Sequence, residues 1–533
     1  GVEAVVSQPL ACADETDRLV VAVGRGDHAV GSVDAGLLGA RQDEQSTFIG
    51  SAGLRLQLVD EPVECHTGGF ASQQKPLSLS VMAAGCRGIS AFILIENNIY
   101  STEGMTLPNR ASVSRREYLK AAVAVGGTAG LSACLEELDG DSREPIPAGG
   151  GELPDRQHAW NETLAVDDDG NHQPPKHHVL RYVNLADGVD PREAREPFAD
   201  ALAALTDAIA WGPEGLLFTV GYSPAYFDRF GQSLDDSVDL PAPHELPGPE
   251  TNVTLDEVDM LVHLASDRPD ILLEAEEGLF GDSEKINGVE VPALDRLVSF
   301  PEYDRRTGFV GAGLPADNQD IRGISGEPVP EEAPFFMGFR SGFAESQPTE
   351  ERVTLSEGPF TGGTTQHVSK LDLQLNAWFS QENHHQRVAK MFSPEHARED
   401  RVEGVGENLG SATGIVPEAM EDLIEKARED GVVGHAQKTA AAREDGRPII
   451  LRRDFNTTDD EQAGVHFLSL QETISDFEKT RNAMTGEAIA DESGVGPRVN
   501  NGILQYIFVR NRGNFLVPPR ELQSMPTPTG TAE

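Results

Sequence analysis

The chain has 533 residues, enough for two to four domains at ~150 residues each. Its 88 acidic against 43 basic residues give a formal net charge of −45, a surface that repels nucleic acid and anionic membrane. Apolar residues, at 38%, recur in periodic runs, which argues against a disordered acidic chain; an excess spread along the whole length fits a halophilic protein, since molar salt screens repulsion to a few ångströms.

Residues 1–104 carry Cys12, Cys65 and Cys86 and no motif. The expectation is an over-extended reading frame, with the true start at Met105. From there the pattern is specific. Ser114-Arg115-Arg116-Glu117-Tyr118-Leu119-Lys120 is a twin-arginine sequence, Ala121 to Leu131 is a short weakly apolar run, and Leu131-Ser132-Ala133-Cys134 is a lipobox. The run is too short to span ~30 Å of hydrocarbon. The expectation for 105–134 is therefore export in the folded state and a lipid anchor on Cys134 at the outer face of the membrane. No cysteine follows Cys134, so the rest of the chain has no disulfide, cysteine-ligated zinc or thiolate nucleophile. Residues 135–176, with Gly149-Gly150-Gly151 and Asp167-Asp168-Asp169, read as a flexible acidic stalk.

The expected fold is α+β with antiparallel sheets, in two halves, 177–330 and 331–520, followed by a tail, 521–533. A strand begins near His178, with Leu180 and Tyr182 on one face. Pro191 opens a helix whose Phe198, Leu202, Leu205 and Ile209 recur at helical spacing. Strands at 215–222 and 259–266 and a helix at 268–280 follow. This is the βαββαβ order of a ferredoxin-like unit. A Pro/Gly-rich passage, 285–335, is too long for an ordinary connector. The second half repeats the plan: a strand at 366–375, helices at 382–392 and 417–429, strands at 449–451 and 465–470, a helix at 473–484 and a strand at 504–509.

Several segments resemble dye-decolourising peroxidases, which are haem enzymes. They are Leu205 to Phe227, Asp259 to Asp267, Gly338-Phe339-Arg340-Ser341-Gly342, His435, the Arg452-Arg453 pair after Pro448-Ile449-Ile450-Leu451, and the closing Phe515-Leu516-Val517-Pro518-Pro519. Together they run in order over about 178–520. The resemblance implies two ferredoxin-like halves in a dimeric α/β-barrel-type arrangement. It implies haem b as cofactor, hydrogen peroxide and a small-molecule reductant as partners, and His435 as axial iron ligand. It places Arg452 on the open side of the iron, and Gly338, Phe339, Gly342 and Phe467 against the cofactor. The family's GFxDG motif departs here: its Asp position is Ser341.

A haem peroxidase needs an apolar slot, a neutral histidine ligand, a group that moves the peroxide proton and a cation that draws off charge. Arg452 suits the last role because its guanidinium stays charged when partly buried. Ser341 has no useful basicity. Arg452 with an ordered water, or a carboxylate such as Glu345 or Asp454, would have to serve, and weak activity is expected. The alternative is a haem-free binding or structural lipoprotein on the same fold, or a haem-binding protein that releases iron. His384 and His385 with Glu382 read as a solvated helix face, since neighbours point ~100° apart. His172, His177 and His178 close the stalk, and Asn161, Asn252 and Asn456 head glycosylation sequons.

Overall fold

A computed structural model describes residues 144–530, apart from 249–251, 282, 293, 302 and 416–421, together with the backbone of six short strands before residue 82. The leader expected at 105–134, with Arg115, Arg116 and Cys134, lies outside the described residues. The chain divides into two units, Gly1–Ala111 and Ser112–Glu533. In the first, Glu3–Ser7 runs parallel to both Arg55–Val59 and Ser78–Val81, and Leu19–Ala22 pairs antiparallel with Val30–Val33.

The second unit begins its sheet with β1, His177–Leu185. Side chains alternate across a strand, and both faces of this one are covered. Val179, Val183 and Leu185 meet Phe198, Leu202 and Leu205 of α1, Pro191–Ala208, and Ile271, Leu272 and Leu279 of α2, Pro269–Phe280. Leu180 and Tyr182 face a separate core with Leu261, Val368, Leu468, Leu470 and Phe515. Asp190 caps α1 by accepting from the Arg192 N–H, with Pro191 in the first turn, as the proline predicts. The other long strands of this half are β2, Leu217–Tyr222, β3, Met260–Ser266, and β4, Arg305–Phe309. Their order is β2-β3-β1-β4, all antiparallel.

The second half repeats it. β5 is Thr364–Leu373, α3 is His435–Ala440, and β6 and β7 are the short Leu451–Arg452 and Phe455–Thr457. β8 is Gly464–Gln471, α4 is Ile474–Thr485 and β9 is Ile507–Val517. β6 and β7 pair with β8, β8 with β5, and β5 with β9. The two sheets join at both edges, through Phe309 opposite Asn456 and Leu516 opposite Tyr222. The ring closes into an antiparallel barrel. The two ferredoxin-like halves expected from the sequence are therefore one continuous sheet.

The joint between halves needs a glycine. A Cβ on Gly308 would sit 2.1 Å from the Asn456 carbonyl oxygen. The Asn456 side chain donates to Phe309 O and Pro334 O and accepts from the Phe336 N–H. It is fully buried, which removes it as a glycan acceptor in the folded protein.

Two expected boundaries are corrected. Residues 144–176 are not a free stalk, because Gln157, His158 and Trp160 are buried. Gln157 bonds to Val220 O, Val220 N and Pro518 O, and Glu350 accepts from the backbone N–H groups of Trp160 and Asn161. The tail is also docked: Tyr222 and Tyr226 donate their hydroxyls to Gln523 O and Pro526 O. Among the described residues no helix is long and apolar enough to cross a membrane.

Candidate functional site

β5, β8 and β9 turn one face to the barrel interior and the other to α3 and α4. Between that outer face and the helices lies a cavity of about 270 Å³. Ligand sites run from roughly 300 to 1,000 Å³, so this one is small. Its walls are mostly apolar, with Phe335, Met337, Phe339, Leu371, Phe467 and Ile507 among them. His435, Ser341, Arg452 and Asp454 line the same space. Residues from 335 to 512 meet here because the ferredoxin-like order returns the chain repeatedly to one sheet face.

His435 is the first residue of α3. Gly434 before it permits close packing, since a Cβ there would lie 1.8 Å from Phe392 O. Gly502, at φ +60°, approaches from the other side, and a Cβ on it would stand 3.1 Å from both the N and Cα of His435. Lys438, one turn on, donates to Met484 O at 2.7 Å and to Asn501 Oδ1 at 2.6 Å, which anchors the helix. Burial, then the charges of Lys438 and Arg452, push the His435 pKa down to about 3. The ring is therefore neutral near pH 7, the form that ligates metals. Its buried Nδ1 has no hydrogen-bond partner among the described residues.

Arg452 ends β6. Its backbone is clamped by one side chain: the Arg452 N–H donates to Gln347 Oε1 at 3.0 Å and Gln347 Nε2 donates to Arg452 O at 2.9 Å. Its guanidinium Nη1 donates to Ser341 Oγ at 3.2 Å and lies 3.7 Å from Asp454 Oδ2. Arg453 points the other way, as strand alternation requires. It stacks on Trp160 and binds Glu350 and His158 O. Of the arginine pair, only Arg452 reaches the cavity.

Asp454 is the one acid among the described lining residues, facing Arg340, Arg443, Arg452, Arg481 and Arg512. Leu468 N–H donates to its Oδ1 at 3.2 Å. Burial pushes its carboxyl up to about 6 against the pull of Arg452. Glu345, the other carboxylate considered, is exposed and accepts from Ser411. Gly338 and Gly342 are turn residues at φ +80° and +77°, outside the cavity's lining. Phe339 and Phe467 are in it. Arg443, Arg481 and Arg512 carry no signal in the sequence, because arginine at strand and helix positions is most often solvated.

Other candidates disperse. His384 packs on Phe339, and both it and His385 are exposed. His178 lies inside the barrel, stacked 4.4 Å from Phe455 and bonded to His263. No group of three or more His, Cys, Asp or Glu among the described residues is placed to hold a metal. A larger groove of about 1,040 Å³ is lined by Asp317, Asp320, Glu327, Glu331 and Glu332 with no histidine or cation; the chemistry-bearing residues are in the smaller cavity.

The fold and cavity define a closed α+β barrel of two ferredoxin-like halves with a histidine and an arginine in one apolar pocket. The chain belongs to a family of unknown function (DUF7405), whose model matches residues 175–519. No curated protein matches it. It is similar to the DypB variant of Rhodococcus jostii in complex with heme, at 16% identity, covering 69% of this chain and 99% of that one with a TM-score of 0.44. It is similar to a dye-decolorizing peroxidase from Bacteroides thetaiotaomicron, at 16% identity, 68% and 99% coverage and a TM-score of 0.43. A third similar structure is the encapsulated DyP-type peroxidase of Mycobacterium smegmatis, at 14% identity, 69% and 99% coverage and a TM-score of 0.43.

Proposed function

We propose that the protein is a haem-dependent peroxidase that reduces hydrogen peroxide at the expense of an extracellular small-molecule reductant. The observation that carries this is the pairing, in one apolar cavity, of a neutral His435, its Nδ1 buried, with Arg452. The donor set fits haem: an imidazole that stays unprotonated, apolar walls on a sheet face, and five arginines for an anionic rim. Bound haem would supply the electrons that cleave the O–O bond. His435 would hold the iron. Arg452 would orient the peroxide and offset charge on its departing oxygen. Ser341 would do no more than accept a hydrogen bond from Arg452.

Export through the twin-arginine pathway and anchoring by a lipid on Cys134 belong to this reading. They rest on Arg115, Arg116 and the lipobox sequence. Two features favour a second reading, a haem-free binding or structural lipoprotein. Ser341 stands where the resembled family has its Asp, and no described carboxylate supports His435 Nδ1, a partner that strengthens such ligands.

The test is an absorption spectrum of the protein expressed with a haem supply and purified in molar salt. A Soret band, lost or shifted in His435→Ala, is the expected result. No Soret band even after added hemin leaves the binding or structural reading.

A further inference from the structure

We propose that Asp454 is the acid–base residue of this cavity, moving the peroxide proton that Ser341 cannot. The inference rests on the peroxidase reading and concerns this chain's own side chains.

Three observations converge. Arg452 and Asp454 are two apart on one extended segment, so they share a face, and Arg453 between them is turned away onto Glu350 and Trp160. Arg452 bridges Ser341 Oγ at 3.2 Å and Asp454 Oδ2 at 3.7 Å, so the carboxylate sits beside the same guanidinium as the serine. The Leu468 N–H fixes Oδ1, which leaves Oδ2 for exchange with a ligand. Every other titratable group on the described lining is a cation or the neutral His435: Arg452 on the same segment, Arg340 from the loop, Arg512 from β9, Arg481 from α4 and Arg443 after α3. No second carboxylate on the described lining competes for the proton. A carboxyl poised near 6 gives and takes a proton readily at neutral pH.

The step balances. Hydrogen peroxide loses one proton, from its inner oxygen, to the Asp454 carboxylate. The acid returns it to the outer oxygen as the O–O bond breaks, and that oxygen leaves as water. The two electrons that break the bond would be supplied by haem when bound; a one-electron reductant acting twice, with two protons from solvent, restores them and releases the second oxygen as water. Asp454 ends as it began.

The test uses the full haem-loaded protein and Asp454→Asn, with Glu345→Gln as control. The Soret band reports that the site is intact. The peroxide rate should fall by about 10²–10⁴ in Asp454→Asn and lose its pH midpoint near 6, while Glu345→Gln follows wild type. Cyanide binding, followed optically without turnover, should slow in parallel, because hydrogen cyanide must give up its proton to bind as the anion. If Asp454→Asn loses haem, Asp454→Glu decides: a displaced pH midpoint supports the proposal and an unmoved one overturns it. An intact Soret band with peroxide and cyanide rates within about threefold of wild type at every pH overturns it. A wild-type protein that binds no haem overturns this proposal and the peroxidase reading together.

Discussion

Arg452 Nη1 donates to Ser341 Oγ at 3.2 Å, joining two residues 111 positions apart at the wall of one cavity. The guanidinium is therefore in place and the carboxylate of the resembled motif is not. Ser341→Asp puts an acid beside Arg452. In wild type, where Asp454 is present, the expected gain in peroxide rate is less than about tenfold. In the Asp454→Asn background it should recover at least tenfold of the ~10²–10⁴ lost. Stopped-flow mixing with peroxide checks both. A large gain in wild type with no recovery in the double variant would mean that the two carboxylates do different jobs.

Gly502 ties the fold to His435. At φ +60° it occupies a region that disfavours side chains, and a Cβ would press on His435 N and Cα at 3.1 Å. Gly502→Ala is expected to cost roughly 1–3 kcal/mol, the range for strain of this kind. It should also weaken haem retention by moving α3. Denaturation gives the first and hemin titration the second. Unchanged hemin affinity in a destabilised variant would separate the turn from the site.

Much of this fold is legible in the residues. β1, α1, β2, β3 and α2 announce themselves by alternation, by Pro191 and Pro269 at helix starts, and by apolar runs. β4 does not: Arg305-Arg306-Thr307-Gly308-Phe309 lacks the alternation of a half-buried strand, because its arginines are mostly covered and ion-paired with Glu276 and Asp460. β9 was read short, since Arg510, Asn511 and Arg512 interrupt an apolar pattern that resumes at Phe515. The docking of 144–176 was hidden because it depends on Gln157 and Glu350 reaching distant backbone, which no local pattern encodes. Within the site, His435 and Arg452 were readable only through order along the chain. The surrounding arginines required the tertiary structure.

Asp256 sets a pH dependence. It is buried, and Asn511 Nδ2 donates to its Oδ1 at 3.1 Å. Burial nonetheless pushes its pKa up to about 7. A raised pKa means that the folded state holds the proton more tightly. The stabilisation is therefore full below the unfolded value of ~3.9, and is lost as pH rises through 7. Asp256→Asn, which stays neutral, should gain stability relative to wild type on going from pH 4 to pH 8, on the order of 2–4 kcal/mol at ~1.4 kcal/mol per pKa unit. Melting curves at both pH values decide, and a constant difference between the two proteins removes Asp256 as the cause.

Glu276 on α2 lies between Arg181 and Arg305, at 2.6 Å and 2.8 Å, with its own side chain fully buried. Burial alone would raise its pKa, but the two guanidinium groups hold it below the usual carboxylate value. Its contribution is present above the unfolded pKa and is lost as pH falls through the folded one. Glu276→Gln leaves Arg305 without the carboxylate it bonds and Arg181 with Asp304 alone, and the expected cost is about 3–5 kcal/mol. Exposed Lys479, paired with Glu444 and Asp476, is the contrast: removing its charge should cost less than ~1 kcal/mol. Salt separates the two, because screening acts on exposed charges far more than on buried ones. The Glu276→Gln loss should persist between 0.5 and 3 M salt, as read from denaturant midpoints, while any Lys479→Ala loss disappears. Equal salt sensitivity in both variants would place water at Glu276 and reduce its pairing to a surface interaction.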